Sequence, residues 1–432
     1  MSIFRQLNAY ESICAYMNVS FYLKLDSDQI TDNRLCQAFK LLGEHHPYFR
    51  MRIDQGKDGK LVFIENENQD VQLISTNTLA EDWKTQLTEW ANEPRDHSKS
   101  IVYLKHCFND RTHQLFGVVN HCGVDGPGLF TAINNFLDYL GQLTENDVEH
   151  VKVKEKRQFY DILSRKPMND LDNSSDLTHD CLPSQPVDND DDKIDMNDLK
   201  INGVYDKFDK TWTDNLSKNC HDNGTTVQSI LSVAGMLTTI WIRKPRPLLP
   251  VWILNWCPAN MREFTQLDQN DIVCGSAALA WEQEVRYDQT LWQLAHETYD
   301  QICDKRHRQV GFAFWNSILQ SKPIKPNTLM TSSIGKLNIH EQYGQIKLCD
   351  MRFIGAVYDN VTPSKSAHMT HVFTANGELT MVNSYTYPAL GYRWASKFQY
   401  SMKTILERFQ MNKESNETVE QLFHMLDQCV ID

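Results

Sequence analysis

The stretch Val118-Val119-Asn120-His121-Cys122-Gly123-Val124-Asp125-Gly126-Pro127-Gly128 holds the residue types best suited to moving a proton. An imidazole such as that of His121 has an unperturbed pKa of about 6.5, so it can take up or release a proton near neutrality. An aspartate follows four positions on, and glycines at 123, 126 and 128 permit torsions and close approaches that a Cβ would forbid. Cys122 adjoins the histidine, but chain neighbours seldom face one another as a nucleophile–base pair, and nothing nearby lowers a thiol pKa. The spacing alone suits a capping, hydrogen-bonding histidine as well as a general base. The surroundings must decide.

Those surroundings are a strand and a helix. Leu115 to Val119 form an apolar, β-branched run that reads as a buried strand. Leu129, Phe130, Ile133, Phe136, Leu137 and Leu140 recur at helical spacing, so an amphipathic helix begins near Gly128. His121 thus falls at a strand-to-helix turn, where a side chain can leave the sheet edge and enter a cavity. Upstream, the patterns predict a strand over 21–25 and a helix capped by Thr31 or Asp32 that stops before Pro47. A hairpin over 50–54 and 61–65, a strand over 71–75, a helix over 81–91 and strands over 101–108 and 114–120 follow. His45 and His46 are adjacent and should point to different sides, which suits a turn better than a metal. Downstream, helices are predicted over 212–220, 225–237 (capped by Thr225 or Thr226), 288–308, 395–409 and 418–426. A strand is predicted over 250–256. Asn376-Gly377 marks a two-residue hairpin between 369–375 and 378–384.

At 432 residues the chain exceeds one ordinary core, so two domains are expected. Ten aspartates among Asn, Ser and Pro mark 169–198 as an acidic linker or crossover, solvated and partly disordered. The domains are then 1–168 and 199–432. Asp188, Asp190 and Asp192 resemble the start of a calcium loop, but Lys193 replaces its turn glycine and no glutamate closes it. A hydrophobic fraction of 41% and a charged fraction of 23% are those of a soluble globular protein. No apolar run approaches the roughly 18 residues of a membrane span, and no secretory signal opens the chain. Eleven cysteines without a Cys-x-x-Cys pair argue for the reducing cytoplasm and against a disulfide framework or zinc site. A net charge of −13 disfavours nucleic acid.

With its flanking strand and helix, the His-x-x-x-Asp-Gly pattern of His121, Asp125 and Gly126 resembles a known motif. It is that of the chloramphenicol-acetyltransferase-like, CoA-dependent acyltransferases, which include alcohol acetyltransferases, plant-type acyl-CoA transferases, polyketide-associated acyltransferases and peptide-synthetase condensation domains. Leu41 to Arg50, the helix after Thr226, the stretch ending Asn260-Met261-Arg262, and Leu329 to Leu337 are similar to further family segments. Asn120 departs from the second histidine that many members carry, Ser333 stands where an asparagine is common, and the plant Asp-Phe-Gly-Trp-Gly segment is missing.

The resemblance implies an α/β fold of two similar domains, each a mixed sheet with flanking helices, around a central tunnel with His121 in its middle. It implies His121 as general base in direct attack without an acyl-enzyme, and Arg262 paired with Asp125 across the domain interface. Gly126 would let the chain approach the thioester. Ser332 and Ser333, with amides near Gly126, are candidate oxyanion donors or merely strand residues. The implied co-substrate is acyl-CoA, acetyl-CoA foremost, with no permanently bound cofactor and no metal. Arg243-Lys244-Pro245-Arg246 and Lys322 with Lys325 could meet its phosphates or be plain surface. The acceptor would be a small-molecule alcohol, in secondary metabolism, and the protein a monomer. Amine acylation, a stand-alone condensation-type enzyme using a carrier-protein thioester, and a catalytically idle small-molecule binding protein stay open.

Overall fold

The computed structural model describes residues 3–65, 71–143, 151–165, 177–184, 199–322, 324–355, 367–411 and 416–429. The chain first forms β1 (Ile3–Gln6), α1 (Ala9–Cys14), β2 (Asn18–Asp26), α2 (Asp32–His45), β3 (Met51–Gln55), β4 (Leu61–Glu65) and β5 (Gln72–Thr76). Next come α3 (Trp83–Asn92), β6 (Val102–Phe108), β7 (Thr112–Asn120) and α4 (Gly126–Gln142). It continues as β8 (Lys200–Phe208), α5 (Lys210–Asp222), α6 (Val227–Ile242), β9 (Val251–Asn260), β10 (Ser276–Val285), α7 (Leu291–His307), α8 (Val310–Leu319) and β11 (Leu329–Lys336). β12 (Gln342–Tyr343), β13 (Ile346–Gly355), β14 (His368–Ala375), β15 (Glu378–Tyr387), α9 (Tyr392–Met411) and α10 (Val419–Gln428) complete it. Side-chain caps fix several helix starts: Thr31 caps α2, Thr226 caps α6, and Asp125 caps α4.

Two compact units result. The first comprises Met1–Pro167, Asn260–Ser276 and Leu337–Ala356; the second comprises Met168–Ala259, Ala277–Lys336 and Val357–Asp432. The stretches 260–276 and 337–356, expected in the C-terminal domain, thus belong to the first unit.

In the first unit the main sheet has the order β12-β13-β2-β7-β6-β5. β7 lies between β2 and β6, antiparallel to both, and β5 runs parallel to β6. That central place explains the apolar run before His121: nearly every side chain of β7 is buried. At Gly117 an added Cβ would sit 2.1 Å from the Phe21 ring, so glycine there lets β2 and β7 keep register. The apolar face of α4 is buried, and α4 packs on α2. Buried Arg34 of α2 donates to the carbonyls of Leu140 and Leu143, closing the C-terminal end of α4.

The second unit's sheet has the order β10-β9-β11-β14-β15-β8. β8 and β15 are antiparallel, as are β15 and β14, while β14 and β11 are parallel. This repeats, strand for strand and sense for sense, the β2, β7, β6 and β5 set of the first unit. The β14–β15 turn places Asn376 and Gly377 at φ 51° and 85°, as a tight hairpin of this hand requires. α6 is buried on every side and packs against α7, α9 and β11. No helix among the described residues is long and apolar enough to cross a membrane.

Several expectations change. Residues 177–184, exposed or half-buried throughout, form a surface crossover docked on β9. The Leu182 amide donates to the Trp252 carbonyl at 2.8 Å, and the His179 ring stacks on Trp252 at 3.4 Å. The remainder of 169–198, with Asp188, Asp190 and Asp192, lies outside the described residues. His45 and His46 do not diverge: the helix ends between them, and their rings lie 3.9 Å apart. β8, β10, β13 and α8 were not anticipated.

Candidate active site

The turn between β7 and α4 is held from three sides. The buried Asn120 side chain accepts from the Cys122 amide at 3.0 Å and donates to the Ala15 carbonyl at 2.8 Å. The His121 amide donates to the Met17 carbonyl at 2.9 Å, so the turn is tied to the chain just after α1. Tyr48 donates from its hydroxyl to the Asn120 carbonyl at 2.6 Å. Its ring packs so closely on Gly123 that a Cβ there would lie 2.1 Å away. Cys122, Gly123, Val124 and Asp125 are buried, whereas His121 keeps part of its surface exposed. The imidazole is the reactive group this turn presents.

Asp125 and Arg262 form a bidentate ion pair, 1% and 0% exposed. Arg262 Nη1 donates to Asp125 Oδ2 and Nη2 to Oδ1, each at 2.8 Å. Asp125 Oδ1 also accepts from the Gly128 amide at 2.9 Å, and Oδ2 from the Gly275 amide at 3.1 Å and Ser276 Oγ at 2.9 Å. Arg262 completes its set with the carbonyls of Asp271 and Val273 and with Asn260 Oδ1, each at 3.1 Å. All five guanidinium N–H groups are used, which is the condition under which a buried ion pair is tolerated. Burial raises the Asp125 pKa, but Arg262 and the other donors more than reverse this and hold the carboxyl below its ordinary value. Arg262 is correspondingly raised, its burial outweighed by Asp125. Both partners lie in the first unit, so the pair joins distant stretches of one unit. A carboxylate so fully engaged holds the turn; it has no lone pair to spare for proton transfer.

Two residues outside the expected set stand beside the ring. Cys274 Sγ lies 3.8 Å from His121 Nδ1, and Cys14 Sγ lies 3.9 Å from Cys274 Sγ. Both thiols are buried. Burial disfavours the His121 imidazolium, while the charge and hydrogen bond of a Cys274 thiolate favour it, raising the pKa to about 9. Cys274 is itself lifted well above the ordinary thiol range, first by its hydrogen bond with Cys14 and then by burial. Ring and thiol thus form a tightly interacting buried pair, in which the Cys274 sulfur draws the imidazole pKa up and burial draws it down. Cys122 is pushed up by burial and is no thiolate.

Gly126 opens α4 directly after its Asp125 cap. Ser332 and Ser333 lie in the second unit on β11, where Ser332 is buried. The Ser333 amide donates to Gln228 Oε1 at 2.6 Å, and the neighbouring Thr331 hydroxyl meets Gln228 and Ser232. These contacts knit β11 to α6. Arg246 pairs with Asp427, and Lys325 pairs with Glu282 at 2.7 Å, so both carry structural partners. Sequence reasoning missed Cys14, Cys274 and Ser276, which stand far along the chain from His121 and carry no local pattern.

The chain is thus an α/β protein of two repeated units in which a capped strand-to-helix turn presents His121. Comparison with solved structures gives the same fold. The chain is similar to the trichothecene 15-O-acetyltransferase TRI3 of Fusarium sporotrichioides, with 12% identity, TM-score 0.68, and coverage of 94% of this chain and 95% of that one. It is similar to polyketide synthase associated protein 5 of Mycobacterium tuberculosis, with 14% identity, TM-score 0.63, and coverage of 96% and 99%. The first condensation domain of the calcium-dependent antibiotic synthetase aligns at 10% identity and TM-score 0.68, covering 96% and 98%. No family model and no curated protein matches. The chain thus has the chloramphenicol-acetyltransferase-like fold shared by acyltransferases and condensation domains.

Proposed function

We propose that the protein transfers an acyl group, acetyl foremost, from acyl-CoA to the hydroxyl of a small-molecule acceptor in the cytoplasm. The observation that carries this reading is a partly exposed His121 whose turn is anchored by the Asp125–Arg262 pair. Nδ1 faces Cys274, which leaves Nε2 to take the acceptor proton as oxygen attacks the thioester carbon. The tetrahedral oxyanion then collapses, the C–S bond breaks, and His121 returns the proton to the thiolate of coenzyme A. No acyl-enzyme is needed, and the raised pKa of Cys122 and of Cys274 speaks against a thiol nucleophile. Asn120 favours a soluble donor over a carrier-protein thioester. In place of a second histidine it spends its side chain on the turn's own backbone.

A donor-by-acceptor screen with mass-spectrometric detection tests the proposal. Acylated alcohol is expected with wild type and a loss of about 10²–10⁴-fold with His121→Ala. Acylated amines, or turnover confined to carrier-bound thioesters, would move the reading to an N-acyltransferase or condensation-type enzyme. Undiminished turnover by His121→Ala would end it.

A further inference from the structure

The thiols beside His121 have no task in acyl transfer, and together with the ring they make a ligand set. Cys14 Sγ, Cys274 Sγ and a ring nitrogen of His121 all lie within 4.8 Å of one another, in one unit. Tetrahedral zinc, with Zn–S of about 2.3 Å and Zn–N of about 2.0–2.1 Å, places two sulfurs about 3.8 Å apart and sulfur and nitrogen about 3.6 Å apart. The observed separations are 3.9 Å between the two sulfurs and 3.8 Å between Cys274 Sγ and His121 Nδ1, with Cys14 Sγ within 4.8 Å of a ring nitrogen. From this we infer that Cys14, His121 and Cys274 form a three-ligand site for a thiophilic metal ion of the zinc class, with an open fourth position.

Three further features support it. The ligands are held by hydrogen bonds of their chain neighbours that do not depend on a metal. Ala15 and Met17, just after Cys14, bind the His121 turn, and Gly275 and Ser276, just after Cys274, bind Asp125. Such independent anchoring is what a preformed site needs. The charges also balance: two thiolates neutralise a divalent ion, and the nearby Asp125–Arg262 pair adds no net charge. Finally, His121 keeps exposed surface, which gives an ion and its fourth ligand a way in. The expectation of no metal rested on local spacing, whereas Cys274 stands 153 positions from His121 and 260 from Cys14. Binding also has a consequence. A metal on Nδ1 leaves the neutral ring's proton on Nε2, so the ring can no longer accept one there. The metal would therefore inhibit a base-catalysed reaction, a consequence that rests on the transferase reading; the binding itself does not.

The test uses the full-length protein, stripped with chelator and kept in a non-thiol reductant. Titration with Co²⁺, then Zn²⁺ against a chromophoric chelator, is expected to show one equivalent bound, with thiolate-to-cobalt charge transfer and tetrahedral d–d bands. Cys14→Ser and Cys274→Ser should each weaken binding beyond the roughly 10–100-fold that losing a supporting residue costs. A triple variant of the exposed cysteines, Cys36→Ser with Cys303→Ser and Cys349→Ser, should bind as wild type does. Zn²⁺ should raise the melting temperature of wild type but not of Cys274→Ser. Should that variant fail to fold, His121→Ala supplies the same comparison. Absence of binding, binding that survives both cysteine replacements, or binding lost in the triple variant would overturn the site. Metal bound without acyl transfer by either metal-free or loaded protein would sink the transferase reading and leave the site standing.

Discussion

The two units share a supersecondary plan and differ in what they place at its turn. In the first, the β6–β7 hairpin runs through Asn120-His121-Cys122-Gly123-Val124-Asp125 into α4. In the second, the β14–β15 hairpin runs through Pro388-Ala389-Leu390-Gly391 into α9. The first turn carries a titratable ring and a charged cap, each needing partners from far along the chain. The second carries Ala389 and Leu390, both buried in the core against α9. Equal topology therefore does not mean equal chemistry: reactivity resides in the turn's side chains and in the polar scaffold built to hold them.

The comparison can be broken most decisively at the two turns themselves. His121→Ala should lower turnover by about 10²–10⁴-fold while leaving the melting temperature unchanged. A large thermal shift would show that the ring is a structural element like its counterpart. Asp125→Asn should destabilise the protein by about 3–5 kcal/mol in urea unfolding, because it strands the buried Arg262 charge. Normal stability with abolished chemistry would contradict its anchoring role. In the second turn, Leu390→Ala should cost about 2–5 kcal/mol by opening a cavity in the core. The acylation rate per folded molecule should stay as it was.

A gentler probe is acid stability in the second unit. Glu282 accepts from Lys325, His179 and the amides of Thr178 and His179. Burial opposes ionisation, yet these donors lower its pKa from 4.5 to about 2. A lowered folded pKa means stabilisation that is complete above the unfolded value and fades as pH falls from about 4.5 toward 2. Glu282→Gln should flatten that part of the acid unfolding curve. Because Lys325 is partly exposed, the effect should be the smallest of the four.

Much of this arrangement was legible in the chain. The apolar run of β7, the glycine-rich turn and the helical spacing of α4 are local signals, and they placed His121 correctly. Thr31 and Thr226 announced their helices, and Asn376-Gly377 its hairpin. What escaped depends on distant partners. β8 carries Asn202 and Gly203, poor strand formers, and is a strand because β15 pairs along its whole length. β13 is defined by pairing with β2, more than 300 positions earlier. Cys14 and Cys274 form no local motif; only the fold brings them to the ring. Arg262 came from family resemblance, since nothing in its neighbours announces a buried ion pair.

The borrowing of β13 by the first sheet has a consequence for synthesis. His121 and Asp125 leave the ribosome long before Arg262, and β2 long before the strand that covers its edge. Until residue 276 is made, Asp125 lacks Arg262, Gly275 and Ser276, and until residue 355 is made the edge of β2 stays bare and open to mispairing. Assembly of the reactive turn must therefore wait for Arg262 and the stretch through Ser276, made about 150 residues after His121 itself.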